Sequence, residues 1–335
     1  MIAIRVDMNN IIATGHVMRC IAIAEAIRMQ GENVIFIIAD NHAIDILNKN
    51  NLKYIILHTE WNKMEAELST LISVIREYNI TKMLIDSYQV TYKYLEELSK
   101  WVHTIYIDDL GAFDYPVNTV VCYANYWEKL GYSHSSLKPR YLLGIQYVPL
   151  RKEFWNTKPK VISENAKKLL ILTGGSDPYN ISQKILEALD RRYYQKIDVI
   201  CGKYNVYYDE LIQIYGNEKN IKFHRNVNDL EKYMMETDLA ISAVGTTLYE
   251  LCACGTPTLS YTFVDNQIDN AIQFDEEGII KYVGDIRTTD IVKNMKKYIH
   301  KIMDDAQKRY DISKLMRMKI DGRGAERLAK ALIDI

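Results

Sequence analysis

The clearest candidate for proton chemistry is a histidine near the start of the chain. His16 follows Gly15 in a turn that links a short apolar run, Ile2–Val6, to a segment with helical spacing. An imidazole titrates close to neutral pH, so His16 is suited to transfer a proton. Gly15 lets the backbone approach a ligand, and a helix start offers free N–H groups to an anion. A lone histidine there can equally be a capping or surface residue. The assignment of a catalytic role to His16 therefore depends on the other turns.

A second turn combines two glycines with a hydroxyl group. Gly174, Gly175 and Ser176 follow an apolar run, and Asp177-Pro178 comes directly after them. Adjacent glycines permit a nest of N–H groups that binds phosphate, while Asp177 can cap a helix with Pro178 at its first position. The alternative interpretation is an ordinary strand-to-helix turn with a good cap.

Two later turns carry the residue types that hold a nucleotide. Hydroxyl and glycine residues precede a helical segment with a glutamate one turn inside it: Ser242, Gly245, Thr246, Thr247 and Glu250. A helix start suits a pyrophosphate, and a carboxylate on the same face can accept both ribose hydroxyls. A threonine-capped helix with a capping box would give the same pattern. Asn266 and Gln267 open the next helix, where they could bind phosphate or sugar hydroxyls, or simply cap.

The elements that must position these turns alternate between strand and helix. Short, β-branched runs predict strands at Ile2–Val6, Val34–Ile38, Tyr54–Leu57, Met83–Ile85, Thr104–Ile107, Leu169–Leu172, Ile197–Ile200, Ile221–Phe223, Leu239–Ile241 and Thr258–Tyr261. Helical spacing between the runs, as in Val17, Ile21, Ala24 and Ile27, predicts βαβ units and parallel sheets. The sequence therefore predicts an α/β protein.

The domain division follows from a break in this alternation. Residues 151–168 are charged, contain Pro159 and show no period, which predicts a linker. We expect a Rossmann-like domain at 1–150, a second at 169–320, and a final helix at 321–335 after an interruption at Asp321-Gly-Arg-Gly324. From Asp290 onward the pattern is otherwise helical. Ligands of two such doubly wound domains gather at the carboxyl ends of the strands, in a cleft between the domains.

Composition excludes several classes of protein. The 335 residues carry 42 Lys and Arg against 43 Asp and Glu, with 48% hydrophobic residues, so the chain is neither disordered nor a general binder of nucleic acid. Its five scattered cysteines lack the spacing of a zinc site. The first residues read as a strand rather than a signal peptide, and no apolar run reaches a membrane span. We expect a cytoplasmic protein without metal or cofactor; the oligomeric state is not indicated.

Taken in order, the motifs resemble the two-domain nucleotide-sugar enzymes of the glycosyltransferase-B fold. Within that fold the chain is similar to the UDP-sugar hydrolases of pseudaminic acid biosynthesis and the related spore-coat polysaccharide proteins. The matching motifs cover essentially the whole chain: Arg5-x-Asp7, Gly15-His16-x-x-Arg19, Ile85-Asp86-x-Tyr88, Asp108-Asp109, Gly144-x-x-Tyr147-x-x-Leu150-Arg151-x-Glu153-Phe154, Gly174-Gly-Ser-Asp-Pro178 and Asp321-Gly-x-Gly324. Ala13 departs from the family, which usually has a glycine there. The resemblance implies that the last helix crosses back onto the first domain.

The resemblance also implies an activity and residue roles. The expected reaction is hydrolysis of UDP-2,4-diacetamido-2,4,6-trideoxy-β-L-altropyranose to UDP and the free sugar, without a metal and with inversion. His16 matches the essential histidine, Glu250 the ribose-binding glutamate, and Tyr88 the strand end that faces the sugar. The diphosphate is expected on the turns with Gly245, Thr246, Thr247, Asn266 and Gln267. Asp7, Gly15, Arg19, Asp86, Gly174, Gly175, Ser176 and Ser242 are further substrate-binding candidates; Asp7 or Asp86 would orient the His16 ring.

Two other functions fit parts of the pattern. A glycosyltransferase of the same fold would replace water by an acceptor hydroxyl, although the chain shows no apolar, basic-rimmed run of the kind that binds lipid acceptors. A nucleotide-sugar sensor would keep Glu250 and leave His16 idle. Gly15, His16 and Arg19 occurring together argue against the sensor.

Overall fold

The computed structural model describes residues 1–9, 11–12, 14–225, 227 and 229–334. The chain forms two compact units. Unit 1 consists of Met1–Lys152 and Arg323–Ile335, and unit 2 of Glu153–Gly322. The segment expected as a linker, 151–168, starts at this division, and from Glu153 on it packs with unit 2.

Unit 1 is built around a seven-stranded sheet in the order β3-β2-β1-β4-β5-β6-β7. Its strands are β1 (Ile2–Val6), β2 (Val34–Ile38), β3 (Tyr54–Ile56), β4 (Lys82–Asp86), β5 (His103–Ile107), β6 (Thr119–Cys122) and β7 (Arg140–Leu143). Its helices in the first segment are α1 (Gly15–Met29), α2 (Ile44–Lys49), α3 (Met64–Glu77) and α4 (Tyr92–Leu98). Neighbouring strands pair in parallel, so their carboxyl ends share one edge.

Unit 2 has a six-stranded parallel sheet in the order β10-β9-β8-β11-β12-β13. Its strands are β8 (Lys168–Leu172), β9 (Lys196–Cys201), β10 (Ile221–Arg225), β11 (Leu239–Ala243), β12 (Thr258–Thr262) and β13 (Lys281–Asp285). Its helices are α5 (Ile181–Ala188), α6 (Tyr208–Tyr215), α7 (Leu230–Glu236), α8 (Thr246–Cys254), α9 (Ile268–Glu276), α10 (Ile291–Met303) and α11 (Ala306–Lys319). Both units have the predicted α/β architecture.

Three of the described strands, β6, β7 and β13, were not predicted from the sequence. β6 and β7 follow β5 with turns and short 3₁₀ segments in between rather than long helices, so the βαβ alternation does not reveal them. β13 contains two charged residues and Gly284, whose φ of 116° no strand pattern would suggest. The ten predicted strands are all present, most of them one or two residues longer than expected.

The helical region after Asp290 contains a break that the sequence analysis did not predict. α10 ends at Met303, and Asp305 caps α11 by accepting a hydrogen bond from Lys308 N at 2.8 Å. Arg309, buried, donates to the carbonyl oxygens of Ile302 and Met303 and so satisfies the end of α10. Side-chain capping at both ends of a two-residue gap separates the helices.

The final helix, α12 (Gly324–Ile333), returns to unit 1 and packs against α1, as the resemblance implied. This explains why α1 is buried on two faces, one against the sheet and one against α12. Gly324 is required by close approach, because a Cβ there would lie 2.1 Å from the carbonyl oxygen of Val148. A Cβ at Gly322 would likewise lie 2.0 Å from the carbonyl oxygen of Phe154, and Gly322 has a φ of 82°. The two glycines of the Asp321-Gly-x-Gly324 motif are therefore structural.

Candidate active site

His16 is held by a carboxylate from a neighbouring strand. α1 begins after β1, and Asp86 ends β4, which pairs with β1; the parallel register therefore brings the two side chains to the same sheet edge. His16 Nδ1 lies 2.6 Å from Asp86 Oδ1. Arg19 Nη2 also lies 3.0 Å from His16 Nδ1. Because an ionised carboxylate can only accept, the shorter contact with Asp86 favours a proton on Nδ1, and in the neutral ring Nε2 is then the nitrogen without one. No hydrogen bond to Nε2 occurs among the residues that the structure describes.

Arg19 holds the same carboxylate from one helical turn further along α1. Its Nε donates to Asp86 Oδ2 at 2.6 Å, and its Nη2 donates to Oδ1, which makes a bidentate pair. Its Nη1 donates to the hydroxyl oxygen of Tyr123, which follows β6. Burial by itself raises the pKa of Asp86, but the charge and hydrogen bonds of Arg19, with a smaller contribution from His16, bring the pKa below its ordinary value. Asp86 is thus a fixed anion beneath the imidazole.

Tyr88 and Asp109 complete this cluster. The Tyr88 ring stands edge-on to the His16 ring, with centroids 4.8 Å apart. Its hydroxyl donates to Asp109 Oδ2 at 2.8 Å, and burial together with Asp109 raises the pKa of Tyr88, so the phenol stays protonated. Asp109 also lies 3.6 Å from Arg19 Nη1. One guanidinium thus stands between two carboxylates, and protonation of His16 would neutralise the formal charge of −1.

Three members of the cluster were not assigned by the sequence analysis. Cys20 donates its S–H to Asp86 Oδ2 at 3.4 Å, and burial keeps its pKa well above the ordinary value. The helical spacing of His16, Arg19 and Cys20 could have revealed that residue. Asp109 lies two residues after the end of β5 and was visible as part of a motif without a role. Tyr123 follows a strand that was itself missed.

Asp7 lies in a different network from His16. Its carboxylate accepts from Arg5 Nη1 at 2.6 Å and from Ala39 N at 2.7 Å. Arg5 also makes a bidentate pair with Glu67, to which Tyr94 donates at 2.9 Å. Of the two candidates for orienting the imidazole, the structure brings Asp86 to His16 and leaves Asp7 in this buried cluster. Gly15 begins α1 with open space where a Cβ would stand; Ala13 lies outside the described residues.

In unit 2, the glycine turn after β8 is open, but the helix after it is already capped. Gly174 has a φ of 81°, and neither Gly174 nor Gly175 has an atom within 4 Å of a Cβ position; Ser176 is exposed. Asp177 accepts hydrogen bonds from the first amides of α5, Ile181 N at 2.7 Å and Ser182 N at 3.0 Å. The capping role of Asp177 was predicted, whereas the placement of Pro178 in the helix was wrong, because Asn180 with φ 49° precedes α5.

A glycine that the sequence analysis overlooked supports this turn. Gly202 follows β9, the neighbour of β8, and a Cβ there would lie 2.3 Å from Gly175 O and 2.6 Å from Gly174 O. Tyr204 N donates to Gly175 O at 3.1 Å. The backbone of one turn thus fixes the path of the other.

The turn between β11 and α8 has an uncapped helix start. Gly245 is the N-cap residue and offers no side-chain acceptor, and the space at its Cβ position is open. Thr246 is exposed, Thr247 is half-buried, and Glu250 lies one turn on, 8% exposed. Ser242 differs from the expectation: it is buried inside β11, and its hydroxyl donates to Ala243 O at 3.0 Å. It therefore does not stand at the helix start.

The turn after β12 is braced by its own side chains. Gln267 accepts from Phe263 N at 3.1 Å, and Asp265 accepts from Arg287 Nη2 at 2.6 Å, while Asn266 is exposed. The four turns of unit 2 described here follow β9, β8, β11 and β12, which are adjacent in the sheet. Their residues consequently share one sheet edge.

Within the part of the chain that the structure describes, no three His, Cys, Asp or Glu side chains are grouped so as to hold a metal ion. Across residues 1–9, 11–12, 14–225, 227 and 229–334, no helix combines the length and apolar character needed to cross a membrane.

Comparison with known proteins finds one family model, several relatives and several solved structures that are similar to this chain. Residues 154–317 match the family model described as Glycosyl transferases group 1. An uncharacterized protein of Methanocaldococcus jannaschii is 27% identical over 278 residues, 77% of this chain and 54% of that protein. The pseudaminic acid cytidylyltransferase and UDP-2,4-diacetamido-2,4,6-trideoxy-β-L-altropyranose hydrolase of Helicobacter pylori is 29% identical over 206 residues, 59% of this chain and 37% of that protein.

A third relative is the spore coat polysaccharide biosynthesis protein SpsG of Bacillus subtilis, 25% identical over 198 residues, 57% of this chain and 58% of that protein. The matched segments thus span between 37% and 58% of these three relatives. Among solved structures, MurG of Acinetobacter baumannii superposes with a TM-score of 0.72 at 12% identity, covering 100% of this chain and 99% of that chain. Alr3699/HepE of Anabaena, solved with UDP, gives 0.66 at 11% identity and covers both chains fully. The predicted glycosyltransferase-B fold is confirmed.

Proposed function

We propose that this protein is a UDP-sugar hydrolase that releases UDP and the free sugar by attack of water on the anomeric carbon. The observation that carries the proposal is the 2.6 Å contact between His16 Nδ1 and Asp86 Oδ1, which in the neutral ring would leave Nε2 free to accept a proton. A histidine oriented in this way is suited to take a proton from water. Asp86 and Arg19 would act as positioning residues, because Asp86 contacts the imidazole and Arg19 holds Asp86 in place.

The nucleotide contacts of this proposal belong to unit 2. The open N-terminus of α8, with Gly245, Thr246 and Thr247, would take the diphosphate through backbone N–H groups and the helix dipole. Glu250 would accept the ribose hydroxyls. Gly174, Gly175, Ser176, Asn266 and Gln267 would contact the phosphates or sugar from neighbouring turns. Neutralising the phosphates makes UDP a good leaving group, so no metal ion is invoked.

The proposed substrate comes from the relatives. The name of the Helicobacter pylori protein includes hydrolysis of UDP-2,4-diacetamido-2,4,6-trideoxy-β-L-altropyranose, and the spore coat protein is named for polysaccharide biosynthesis. Hydrolysis of that substrate with inversion, in the cytoplasm and on the way to a nonulosonic acid, is the specific form of the proposal. Water would attack the face opposite UDP, and the C–O bond to the leaving phosphate would break.

A glycosyltransferase is the second candidate, and the match of residues 154–317 to Glycosyl transferases group 1 favours it. An acceptor hydroxyl would then replace water, and His16 would deprotonate that hydroxyl. The nucleotide contacts and the departure of UDP would be the same in both cases, and only the attacking hydroxyl would differ.

The two candidates separate in one assay. Purified protein is incubated with the diacetamido UDP-sugar without an acceptor, and UDP and free sugar are measured together. Equal amounts of both products support the hydrolase. UDP release that appears only after a carbohydrate acceptor is added identifies a transferase, and binding without turnover in either condition identifies a sensor.

A further inference from the structure

Asp109 has a carboxylate oxygen that nothing in the described protein uses. Its Oδ2 accepts from Tyr88 and lies near Arg19, whereas its Oδ1 is enclosed and has no hydrogen-bond partner among the residues that the structure describes. Leaving a carboxylate oxygen enclosed and unpaired costs free energy, so such an atom in a folded protein calls for a reason.

The loop after β5 is already anchored by Asp108, the residue before Asp109. Asp108 is buried, and both of its oxygens are satisfied: Oδ1 accepts from Tyr115 at 2.7 Å and Leu110 N at 3.0 Å, and Oδ2 accepts from Tyr132 and from Gly111 N at 2.9 Å. Asp108 thus anchors the loop after β5. Asp109 is not needed for that purpose.

Pairing with Arg19 does not account for Asp109 either. The guanidinium directs Nε and Nη2 to Asp86 and donates Nη1 to Tyr123, while the approach to Asp109 is 3.6 Å. Asp109 therefore contributes charge to Arg19 without a short hydrogen bond. Its free acceptor remains beside the cluster that holds His16.

Tyr88 links this acceptor to the proposed reacting centre. Its ring contacts the His16 ring at 4.8 Å between centroids, and its hydroxyl is on the other oxygen of Asp109. Tyr88 is also 40% exposed, so it can give way to a ligand at modest cost. A sugar that reaches His16 then comes within reach of Asp109.

We propose that Asp109 binds the sugar, with Oδ1 accepting a hydrogen bond from a hydroxyl or amide N–H group on it. This inference rests on the proposed function and names a sugar contact that the sequence motifs left without a role. A carboxylate there selects sugars with a hydrogen-bond donor at the facing position. A carboxylate close to the anomeric carbon would also stabilise the positive charge of an oxocarbenium-like transition state.

The test measures binding separately from turnover. In a His16→Asn background, the affinities of UDP and of the diacetamido UDP-sugar are measured by calorimetry with and without Asp109→Asn. We expect Asp109→Asn to weaken binding of the UDP-sugar about tenfold or more and to leave UDP affinity within about twofold. Asp114→Asn, the same change at an exposed position of the same loop, is the matched control and should alter neither affinity.

Equal losses for UDP and UDP-sugar with Asp109→Asn, or no loss for either, would overturn the assignment. Failure of the wild-type protein to release UDP would instead count against the hydrolase proposal, since these binding measurements do not depend on turnover.

Discussion

His16 is fixed at one ring nitrogen and open at the other, so removing it should affect turnover far more than nucleotide binding. Because a general base typically contributes ~10²–10⁴-fold, His16→Asn should lower kcat by at least that range and leave UDP affinity nearly unchanged. His42 offers a matched control, since its Nδ1 also lies 2.6 Å from an aspartate, Asp40, but at an exposed position. His42→Asn should behave as wild type, and near-normal turnover of His16→Asn would remove His16 from the mechanism.

Asp86 should make the stability of the protein depend on acid pH. Its pKa is lower in the folded protein than in the unfolded chain, so its stabilising effect is present above the unfolded pKa of about 3.9 and is lost as the pH falls through the folded value. Asp86→Asn, which leaves Arg19 buried without its anion, should cost ~3–5 kcal/mol at pH 7.

Urea unfolding of wild type and Asp86→Asn between pH 7 and pH 3 tests this dependence. The difference in unfolding free energy between the two proteins should shrink below about pH 4. Asp40→Asn, at the exposed pair, should show little difference at any pH. If the difference in unfolding free energy stays constant from pH 7 to pH 3, Arg19 does not lower the pKa of Asp86 as described.

Glu250 should matter for the nucleotide and not for the proton transfer. Glu250→Ala should weaken UDP binding by ~1–3 kcal/mol, the usual loss for a charged hydrogen-bond partner. Glu210→Ala, an exposed glutamate in the first turn of α6, controls for the loss of charge in unit 2. Calorimetry that finds unchanged UDP affinity for Glu250→Ala would withdraw the ribose-binding assignment.

The sequence predicted these residues unevenly, and the reason is physical. His16 could be named from its place in a strand-to-helix turn, and Arg19 and Asp86 could be named from the family motifs that contain them. The choice of Asp86 over Asp7 as the partner of His16 needed the structure, since Asp7 follows β1 and Asp86 ends the adjacent β4. β11 ends at Ala243, two residues later than predicted. Ser242 therefore lies inside the strand, where its hydroxyl is buried, and not at the helix start where it was expected.

At the scale of elements, the glycine turn after β8 depends on the neighbouring strand. Gly202→Ala would force a methyl group into the carbonyl oxygens of Gly174 and Gly175 and should displace that turn. We expect lower thermal stability together with weaker UDP-sugar binding. Gly175→Ala is the matched variant, because its Cβ meets open space: it should keep the melting temperature and weaken binding only where a ligand lies against the turn.

Melting temperatures and calorimetric affinities of these two variants test whether the close approach of Gly202 holds the turn after β8 in place. If Gly202→Ala keeps wild-type stability and affinity, the residue after β9 does not determine the conformation of the turn after β8.

The contact between these two turns could not be predicted from the sequence. Alternation of strands and helices predicted ten strands, but contacts between turns of adjacent strands leave no periodic signal, and β6 and β7 lack the intervening helices that would have revealed them.

At the scale of the molecule, unit 1 is assembled from both ends of the described chain. α12 packs against α1 and buries Ala325, Leu328, Ala329 and Leu332. Lys82 Nζ donates to the carbonyl oxygens of Leu332 and Ile333 at 2.9 and 2.7 Å. Leu328→Ala should therefore lower the unfolding free energy by ~2–5 kcal/mol. Leu137→Ala, at a position of unit 1 that is 42% exposed, should cost much less.

Removal of residues 325–335 is the stronger form of this change. It uncovers apolar side chains of α1 and should lower the melting temperature and raise KM. A truncated protein with unchanged melting temperature and kinetics would show that α12 contributes little to unit 1. The return of α12 was predicted from the family resemblance, whereas the reason for its two glycines appeared only in the structure.

The central claim is that water, activated by His16, attacks the anomeric carbon and that UDP leaves with its own oxygens. Turnover of the diacetamido UDP-sugar in ¹⁸O-labelled water, without an acceptor and with mass spectrometry of both products, tests it most directly. We expect one ¹⁸O atom in the free sugar, none in UDP, and formation of the labelled sugar by His16→Asn slowed by at least ~10²–10⁴-fold. Label in a phosphate of the nucleotide, or no sugar released until an acceptor is added, would contradict it.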